Sequence, residues 1–509
     1  MPTSETRFIV SVDNEEATQR LAVELANALE PGDFITLSGD LGAGKTAFAR
    51  ALIRYLAGDP DLAVPSPTFT LMQVYELPRF TLAHADLYRL SGPDELTELG
   101  LEDIAANGVV LMEWPDRAEG RLPMDRIDVA FTLAASRGNT HRDICITGYG
   151  TLAQRVARMD LLRRFLHRNG YGLATRQRMQ GDASTRLYER VIRDGQPAIL
   201  MNAPRRPDGP PVRDGKPYSQ IAHLAEDVRP FVAMADGLRA LGFSAPEIYA
   251  ADLDYGFLLL EDLGPETFVS GSPPAPIPAR YGAATDLLAE LHGREVAAML
   301  PLPDGTTYAL PAYDRHAFLI EAELLLDWYI PHRGLAVDDA GREAFRELWL
   351  TALKPALAGQ QTWVLRDYHS PNLIWLPQRE GHRRVGLLDF QDALIGPTGY
   401  DVASLLQDAR VDVPEALERE LLARYAALRS EASPSFDPAE FAAIYAVMAA
   451  QRATKILGIF ARLDRRDGKP QYLRHMPRVW RYLQRSLRHP ALSGLAEWYN
   501  ENVPAFDGL

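Results

Sequence analysis

One eight-residue stretch, GDLGAGKT at positions 39–46, constrains the fold of this chain more than any other part of it. The stretch matches G-x-x-x-x-G-K-[ST], follows the apolar run FITL and leads into the helix-forming segment AFARAL. A strand, a glycine-rich loop and a helix in this order bring backbone N–H groups and a helix N-terminus to a phosphate. This context disfavours the alternative of a glycine-rich turn with a chance Lys-Thr pair. The stretch predicts an α/β domain, and the expected nucleotide-binding residues are Gly39, Leu41, Gly42, Ala43, Gly44, Lys45 and Thr46.

Further side chains of the first 150 residues suit a nucleotide site. In this motif Lys45 reaches the outer phosphates, and the Thr46 hydroxyl binds magnesium. Asp86 ends a strand-like segment, where P-loop proteins keep a metal-site carboxylate. Glu113 ends the run VVLM and either orients water or supports the magnesium; the alternative is a solvated strand end. The loop SPTFT (66–70) is either a switch-like segment that carries hydroxyls or an ordinary proline turn before a strand.

A second set of polar residues follows apolar runs much later in the chain. Asp367 comes shortly after the run WVL, Asn372 stands at the fifth position after Asp367, and Asp389 follows the run GLL. Phosphoryl transfer from ATP needs one carboxylate to accept the proton of the attacking hydroxyl, and an amide oxygen and a second carboxylate to hold magnesium. Asp and Asn in a proline-containing loop are also common turn formers. With Asp389 downstream, the set predicts a kinase in which Asp367 is the base and Asn372 and Asp389 are metal ligands.

The segments before this set contain candidates for ATP binding. GDASTR (181–186) lies between strand-like segments and could fold over phosphates, which makes Ser184 and Arg186 candidate ligands; such short loops are also common as plain turns. LLLEDLG (258–264) reads as a last strand that leads to a hinge. In kinase-like folds such a hinge often binds adenine through backbone groups, so Glu261 is a candidate. The chain after the proline-rich segment 270–278 is largely helical in pattern.

Length and composition bound the remaining possibilities. A chain of 509 residues is too long for one hydrophobic core, and we expect domains at residues 1–150, 155–263 and 264–509. The net charge of −14 argues against a general nucleic-acid or anionic-membrane surface. Cys145 is the only cysteine, so no intramolecular disulfide can form. The sequence lacks a signal-peptide pattern and a membrane-spanning apolar run, and it therefore predicts a cytoplasmic protein without a membrane partner.

In the first module, the pieces GDLGAGKT, SPTFT, HADLYRL, ELGLED and MEWPDR occur in an order that resembles the TsaE family of ATPases. The resemblance implies a P-loop NTPase domain that uses ATP and magnesium and acts with TsaB and TsaD type partners in tRNA threonylcarbamoyladenosine formation. Such a domain would drive cycling of the partner complex and would involve tRNA only indirectly. By the same resemblance the functional positions are Lys45, Thr46, Asp86 and Glu113.

In the second module, the pieces GDAST, LLLEDLG, LRDYHSPNLIW, GLLDFQDA and GPTGYDVASLLQD resemble the aminoglycoside phosphotransferase-like kinases. The resemblance implies a two-lobed, protein-kinase-like domain with a mainly helical C-lobe, which uses ATP and magnesium. Within that group, LMNAP (200–204) and KILGIFARLDRRDGKPQYL (455–473) are most similar to the AmgK kinases. Those kinases phosphorylate the anomeric hydroxyl of N-acetylmuramate or N-acetylglucosamine in cell-wall recycling. Asp401 is expected to brace the catalytic loops.

Two positions depart from the common kinase pattern. The strand position where many kinases carry a phosphate-binding lysine is Met201, and the position before Arg366 and Asp367, often His, is Leu365. Arg186 is a candidate for the missing positive charge. Three interpretations therefore stay open for the second module. It is an amino-sugar kinase, a kinase of another small alcohol such as an aminoglycoside or choline, or a nucleotide-binding scaffold without catalysis.

Overall fold

The structure is a computed structural model of the chain and describes residues 5–90, 94–118, 120–134, 136–138, 140–179 and 186–504. The polypeptide divides into two compact units, Met1–Asn202 and Ala203–Leu509. The first unit includes residues 151–202, most of which belong by sequence pattern to the kinase-like module. The functional boundaries at 1–150, 155–263 and 264–509 therefore stay a proposal.

The first unit is built around a seven-stranded mixed sheet. Its strands are β1 (Glu5–Val12), β2 (Phe34–Gly39), β3 (Met72–Glu76), β4 (Thr81–Asp86), β5 (Val109–Glu113), β6 (Arg126–Leu133) and β7 (Arg142–Tyr149). The strand order is β1-β7-β6-β2-β5-β4-β3; β2 is parallel to β5 and β6, and β4 is parallel to β5. Every residue of β5 is buried, which is expected of a parallel strand that is covered on both faces.

Helices pack against this sheet and position its loops. They are α1 (Glu15–Ala28), α2 (Lys45–Ala57), α3 (Asp94–Glu98), α4 (Leu101–Ala105) and α5 (Leu152–Arg168). The side chain of Asn14 caps α1 by accepting a hydrogen bond from the Ala17 N–H at 2.8 Å. Because α2 begins at Lys45, directly after the left-handed Gly44, the glycine-rich loop runs into the helix as predicted.

Three antiparallel strands complete the first unit: β8 (Thr175–Arg178), β9 (Leu187–Arg193) and β10 (Gln196–Asn202). A buried polar network joins β8 and β9 to α1 and α2. Arg176 binds Glu189 through two hydrogen bonds of 2.7 and 2.8 Å, and the Asn27 amide donates to Glu189 at 2.9 Å. The Tyr55 hydroxyl donates to Asn27 Oδ1 at 2.6 Å and accepts from the Arg178 N–H at 2.8 Å. The network thus connects the helix that follows the glycine-rich loop to these strands.

The second unit is mainly helical. Its helices are α6 (Tyr218–Ile221), α7 (Arg229–Ala240), α8 (Pro278–Leu291), α9 (Arg315–Ala322), α10 (Ile330–His332), α11 (Asp339–Ala358), α12 (Gly399–Leu406), α13 (Glu415–Ala432), α14 (Pro438–Asp467), α15 (Met476–Ser486) and α16 (Ser493–Asn502). Over the described residues, no helix of either unit combines the length and the apolar composition that crossing a membrane requires.

The strands of the second unit form short antiparallel pairs. They are β11 (Pro211–Arg213), β12 (Lys216–Pro217), β13 (Ile248–Asp252), β14 (Phe257–Glu261), β15 (Val269–Ser270), β16 (Ala275–Pro276), β17 (Met299–Pro301), β18 (Thr307–Ala309), β19 (Gln361–Val364), β20 (Leu373–Trp375), β21 (Val385–Leu387) and β22 (Leu394–Pro397). β19 pairs with β22, and β20 pairs with β21. These two pairs hold the ends of the loops that carry Asp367, Asn372 and Asp389.

Candidate functional sites

The glycine-rich loop of residues 39–44 connects β2 to α2, where the motif predicts it. Gly39 has a φ of 134°, and a Cβ atom at this position would lie 2.5 Å from the Phe131 carbonyl oxygen. Only glycine therefore fits between the end of β2 and β6. Leu41 is 78% exposed, and the Ala43 carbonyl oxygen accepts a hydrogen bond from Arg142 at 2.7 Å. The loop is thus held at its base and is open at its tip.

Lys45 is folded back onto this loop. Its Nζ donates to the carbonyl oxygens of Gly39 and Asp40 at 2.7 and 3.0 Å and lies 3.7 Å from the centre of the Trp114 ring. Burial lowers the pKa of Lys45, and the carboxylates of Glu113, Asp86 and Asp40 oppose that shift. The contact with Trp114 is a cation–π interaction, so this tryptophan packs against Lys45.

Thr46 and Glu113 meet directly behind the loop. The Thr46 hydroxyl donates to Glu113 Oε2 at 3.0 Å, and His84 Nε2 lies 3.0 Å from Glu113 Oε1. The His84 ring lies against the proposed catalytic carboxylate, a contact that the sequence did not indicate. Its contact depends on a neighbour 29 positions away, which sequence spacing alone does not reveal.

Asp86 stands beside Glu113, because the two residues are aligned in the parallel strands β4 and β5. Asp86 Oδ2 accepts hydrogen bonds from the hydroxyls of Ser66 and Thr68 at 2.6 and 2.8 Å. The hydroxyl-bearing loop therefore contacts Asp86. Thr46, Asp86 and Glu113 therefore lie close together.

This cluster suits a hard divalent cation. Asp86 and Glu113 are buried, and within the described residues neither forms an ion pair with Lys or Arg. A divalent cation would offset the charge of the two buried carboxylates, of which Glu113 contacts His84. Where the structure describes the chain, no group of three or more His, Cys, Asp or Glu side chains could hold a metal. Magnesium at Thr46 and Asp86 would therefore rely on hydroxyl, water and phosphate oxygens as well, which is its usual preference.

The second site gathers Asp367, Asn372 and Asp389. The Asn372 amide donates to the Asp367 carbonyl oxygen at 2.9 Å and to Asp389 Oδ2 at 3.3 Å. The Asp367 side chain is 42% exposed and so is accessible to an acceptor. Arg366 and Asp389 have φ values of 72° and 57°, in the left-handed region that residues other than glycine adopt uncommonly.

Charged neighbours keep the proposed base ionised. Desolvation opposes ionisation of Asp367, but His369, Lys455, Arg452 and Arg366 hold its pKa below the usual value. His369 Nε2 lies 3.9 Å from Asp367 Oδ1. A proton acceptor with a lowered pKa is fully ionised at neutral pH, as a general base must be.

Asp401 braces the catalytic loop, as the sequence interpretation expects. Its two carboxylate oxygens accept hydrogen bonds from the N–H groups of Leu365 and Arg366 at 2.6 and 2.9 Å. Burial raises the pKa of Asp401 to about 7, although these hydrogen bonds oppose the shift. The backbone immediately before Asp367 is therefore fixed by a side chain of α12.

A buried charge cluster supports the same loop and was not identified from the sequence. Glu321 of α9 forms ion pairs with Arg366 and with Lys455, the latter at 2.8 Å, and it accepts a hydrogen bond from the Tyr313 hydroxyl. Burial would raise the pKa of Glu321, but Arg366 and Lys455 bring it down to about 2. The three charges come from separate elements, so no local motif shows their contact.

The remaining predicted ligands come from segments earlier in the second module. Ser184 lies outside the described residues, and Arg186 is partly buried just before β9. Glu261 ends β14; its side chain pairs with Arg379 at 2.5 Å, and its N–H donates to the Glu247 carbonyl at 2.8 Å. Adenine binding at Glu261 would therefore use the backbone carbonyl. Met201, at the position of the missing lysine, is buried in β10.

Comparison with known proteins shows that the chain is similar to two families. Residues 12–144 match the family described as threonylcarbamoyl adenosine biosynthesis protein TsaE, and residues 175–444 match the phosphotransferase enzyme family. An N-acetylmuramate/N-acetylglucosamine kinase of Caulobacter vibrioides is 39% identical over 353 residues, covering 67% of this chain and 95% of the relative. A TsaE protein of Rickettsia conorii is 39% identical over 152 residues, covering 30% of this chain and 85% of the relative. The chain belongs to both families.

The two memberships confirm the predicted fold class. A TsaE-family P-loop domain precedes a phosphotransferase-family, kinase-like domain whose C-terminal region is mainly helical. A second N-acetylmuramate/N-acetylglucosamine kinase, from Pseudomonas aeruginosa, is 35% identical over 322 residues, covering 62% of this chain and 85% of the relative. Both families use ATP, so the fused chain contains two ATP-using domains.

Proposed function

We propose that this protein is bifunctional. Its first domain is an ATPase that supports formation of tRNA threonylcarbamoyladenosine, and its second is an ATP-dependent kinase of N-acetylmuramate and N-acetylglucosamine in cell-wall recycling. The observation that carries the kinase assignment is the convergence of Asp367, Asn372 and Asp389 in a chain that matches kinases of that name over most of their length.

In the kinase reaction, Asp367 accepts the proton of the anomeric hydroxyl. The anomeric oxygen, as it loses its proton, attacks the γ-phosphorus of ATP. The bond between that phosphorus and the bridging oxygen breaks, and ADP leaves. Asp401 and the Glu321 cluster keep the base in position through Arg366 and the backbone before it. A positioned general base contributes roughly 10²- to 10⁴-fold to the rate.

Asn372 and Asp389 would hold the magnesium that accompanies ATP in this domain. When bound, that ion neutralises phosphate charge during phosphoryl transfer. Amide and carboxylate oxygens are its preferred protein ligands, and these two side chains are already within 3.3 Å of each other. Ser184 and Arg186 are proposed phosphate ligands, and the Glu261 segment is the proposed adenine hinge. If Arg186 replaces the missing lysine, Arg186→Ala raises the KM for ATP; an unchanged KM contradicts this role.

In the ATPase, residues 39–44 and Lys45 bind the phosphates, and Thr46 and Asp86 would hold magnesium. Glu113 is placed to orient the attacking water, with His84 fixing its second oxygen. The observation that supports this assignment is the contact between Thr46 and Glu113 at 3.0 Å. The expected partners are proteins of the TsaB and TsaD type, and tRNA is involved only through them.

The kinase assignment is tested by measuring ADP release from the full chain with each acceptor in turn. N-acetylmuramate and N-acetylglucosamine are expected to stimulate release, while an aminoglycoside and choline are not. Stimulation by the cationic acceptors alone would establish a kinase of another small alcohol. ATP binding without acceptor-dependent release would indicate a nucleotide-binding scaffold.

The ATPase assignment needs a separate measurement. ATP hydrolysis by the full chain is expected to increase when TsaB and TsaD type proteins are added, and Glu113→Gln should abolish that increase while ATP still binds. An equal rate of ATP hydrolysis with and without the added proteins would contradict the proposed partners.

A further inference from the structure

Asp408, two residues beyond the end of α12, directs a buried carboxylate at the catalytic loop. Its Oδ2 accepts hydrogen bonds from the Ser370 N–H at 3.0 Å and from the Ser370 hydroxyl at 2.5 Å. Its Oδ1 accepts a hydrogen bond from the Arg410 N–H at 2.8 Å. Burying a carboxylate is costly unless hydrogen-bond donors replace the lost water. Two of the three donors belong to Ser370, so Asp408 fixes both the backbone and the side chain of that residue.

Ser370 lies in the part of the loop that joins the proposed base to a proposed metal ligand. It begins the 3₁₀ turn Ser370–Asn372, three residues after Asp367. The His369 N–H donates to the Asp367 carbonyl oxygen at 3.0 Å, and the Asn372 N–H donates to the His369 carbonyl oxygen at 2.9 Å. Because these hydrogen bonds make the loop compact on both sides of Ser370, a displacement of Ser370 would also move Asn372.

One short segment therefore holds the catalytic loop at two points. Asp401 accepts hydrogen bonds from the N–H groups of Leu365 and Arg366, just before the base. Asp408, seven positions later in the same segment, holds Ser370 after the base. Magnesium requires nearly ideal octahedral geometry and short distances to its oxygen ligands. A small shift in the second half of the loop would therefore weaken magnesium binding, while Asp401 would still hold the first half.

We propose that Asp408 is a positioning residue that acts through Ser370 to hold Asn372 where it binds the magnesium of the kinase domain. The proposal rests on the kinase function proposed above. It divides the support of the loop between two carboxylates: Asp401 positions the proposed base, and Asp408 positions the metal ligand. Loss of the Asp408 contact is therefore expected to affect the metal ion more than the acceptor sugar.

The first test measures metal binding directly. Mn²⁺ would be titrated into the full chain with a non-hydrolysable ATP analogue, and free Mn²⁺ followed by electron paramagnetic resonance. The chain carries Lys45→Ala, so that nucleotide-dependent binding reports on the kinase domain. In Asp408→Asn an amide N–H₂ replaces one acceptor oxygen and faces a donor, and the dissociation constant for Mn²⁺ should rise roughly 10-fold. An unchanged dissociation constant would overturn the proposal.

The second test measures how the kinase rate depends on magnesium. The magnesium concentration for half-maximal rate should rise roughly 10-fold in Asp408→Asn, while KM for N-acetylmuramate stays unchanged and saturating magnesium restores most of kcat. A merely structural role would lower kcat at every magnesium concentration without moving the half-maximal point, and that result would overturn the proposal. If the wild type phosphorylates no acceptor sugar at any magnesium concentration, the kinase function itself fails.

Two further variants control for folding and for charge. Ser370→Ala removes only the hydroxyl donor, so it perturbs the fold less than Asp408→Asn and should shift the magnesium dependence in the same direction by a smaller factor. Asp412→Asn removes a nearby carboxylate that is 63% exposed and pairs with Arg481 at 3.3 Å. This control should leave magnesium dependence unchanged. Equal shifts in Asp408→Asn and Asp412→Asn would show a general effect of charge and would overturn the proposal.

Discussion

At the scale of single residues, the charges beneath the catalytic loop determine how well the loop is held. Glu321 is fully buried between Arg366 and Lys455, and removing one partner of a buried ionic cluster leaves uncompensated charge. Glu321→Gln is therefore expected to lower the free energy of unfolding of the second unit by about 3–5 kcal/mol. All tryptophans except Trp114 lie in that unit, so urea unfolding followed by tryptophan fluorescence reports on it.

The matched control for this variant is Glu343→Gln. Glu343 pairs with Arg346 at 2.9 Å, but its side chain is 62% exposed. Exposed ion pairs contribute about 0–1 kcal/mol to stability, so the free energy of unfolding of the control should be close to that of the wild type. Equal destabilisation by both substitutions would contradict the importance given to the buried cluster.

The lowered pKa of Glu321 predicts that the stability of the second unit depends on pH. The folded pKa of Glu321 is about 2, whereas an unfolded Glu titrates near 4.3. Between these pH values the unfolded chain binds more protons than the folded chain. The contribution of Glu321 to the free energy of unfolding is therefore complete above about pH 4.3 and is lost as the pH falls towards 2. The unfolding midpoint in urea should therefore fall more steeply between pH 5 and pH 3 in the wild type than in Glu321→Gln. If the urea midpoints of the wild type and of Glu321→Gln fall equally with pH, Glu321 does not titrate in this way.

At the scale of secondary-structure elements, a buried polar network joins α1, α2, β8 and β9. Glu189 is buried and serves both Arg176 and Asn27. Glu189→Gln leaves Arg176 without its counter-ion and is expected to destabilise these elements by about 3–5 kcal/mol. Hydrogen exchange measured by mass spectrometry should show faster exchange in peptides from α1, β8 and β9.

Glu30→Gln is the control for the network. Glu30 pairs with Arg155 at 2.8 Å, but its side chain is 60% exposed, so its loss should leave exchange nearly unchanged. If hydrogen exchange in Glu189→Gln becomes faster throughout both units instead of only in α1, β8 and β9, the network does not have a local role.

The elements also show which features a sequence can predict. The glycine-rich loop and the segment from Asp367 to Asn372 each carry their chemistry within a few consecutive residues, so motif spacing locates them and their flanking strand or helix. The contacts of Ser66 with Asp86 and of Glu321 with Arg366 depend on how distant elements pack. The spacing of residues along the sequence does not predict such packing, so only the folded structure shows these partners.

At the scale of the whole molecule, one chain combines a TsaE-family domain with a phosphotransferase-family domain, and we propose a separate nucleotide site in each. Lys45→Ala removes the cation that reaches the phosphates in the first domain, so bound ATP measured by equilibrium dialysis should fall from two molecules per chain to one. Asp367→Asn should keep both, because the base contacts the acceptor hydroxyl and not ATP. Loss of both nucleotides in Lys45→Ala would contradict the assignment of separate sites.

The most direct test of the account is phosphorus NMR of the full chain with ATP, magnesium and N-acetylmuramate. The account predicts a sugar 1-phosphate signal for the wild type and for Lys45→Ala, and a loss of roughly 10²- to 10⁴-fold in its rate of appearance for Asp367→Asn. A signal that persists at the wild-type rate in Asp367→Asn, or phosphate on a hydroxyl other than the anomeric one, would contradict it.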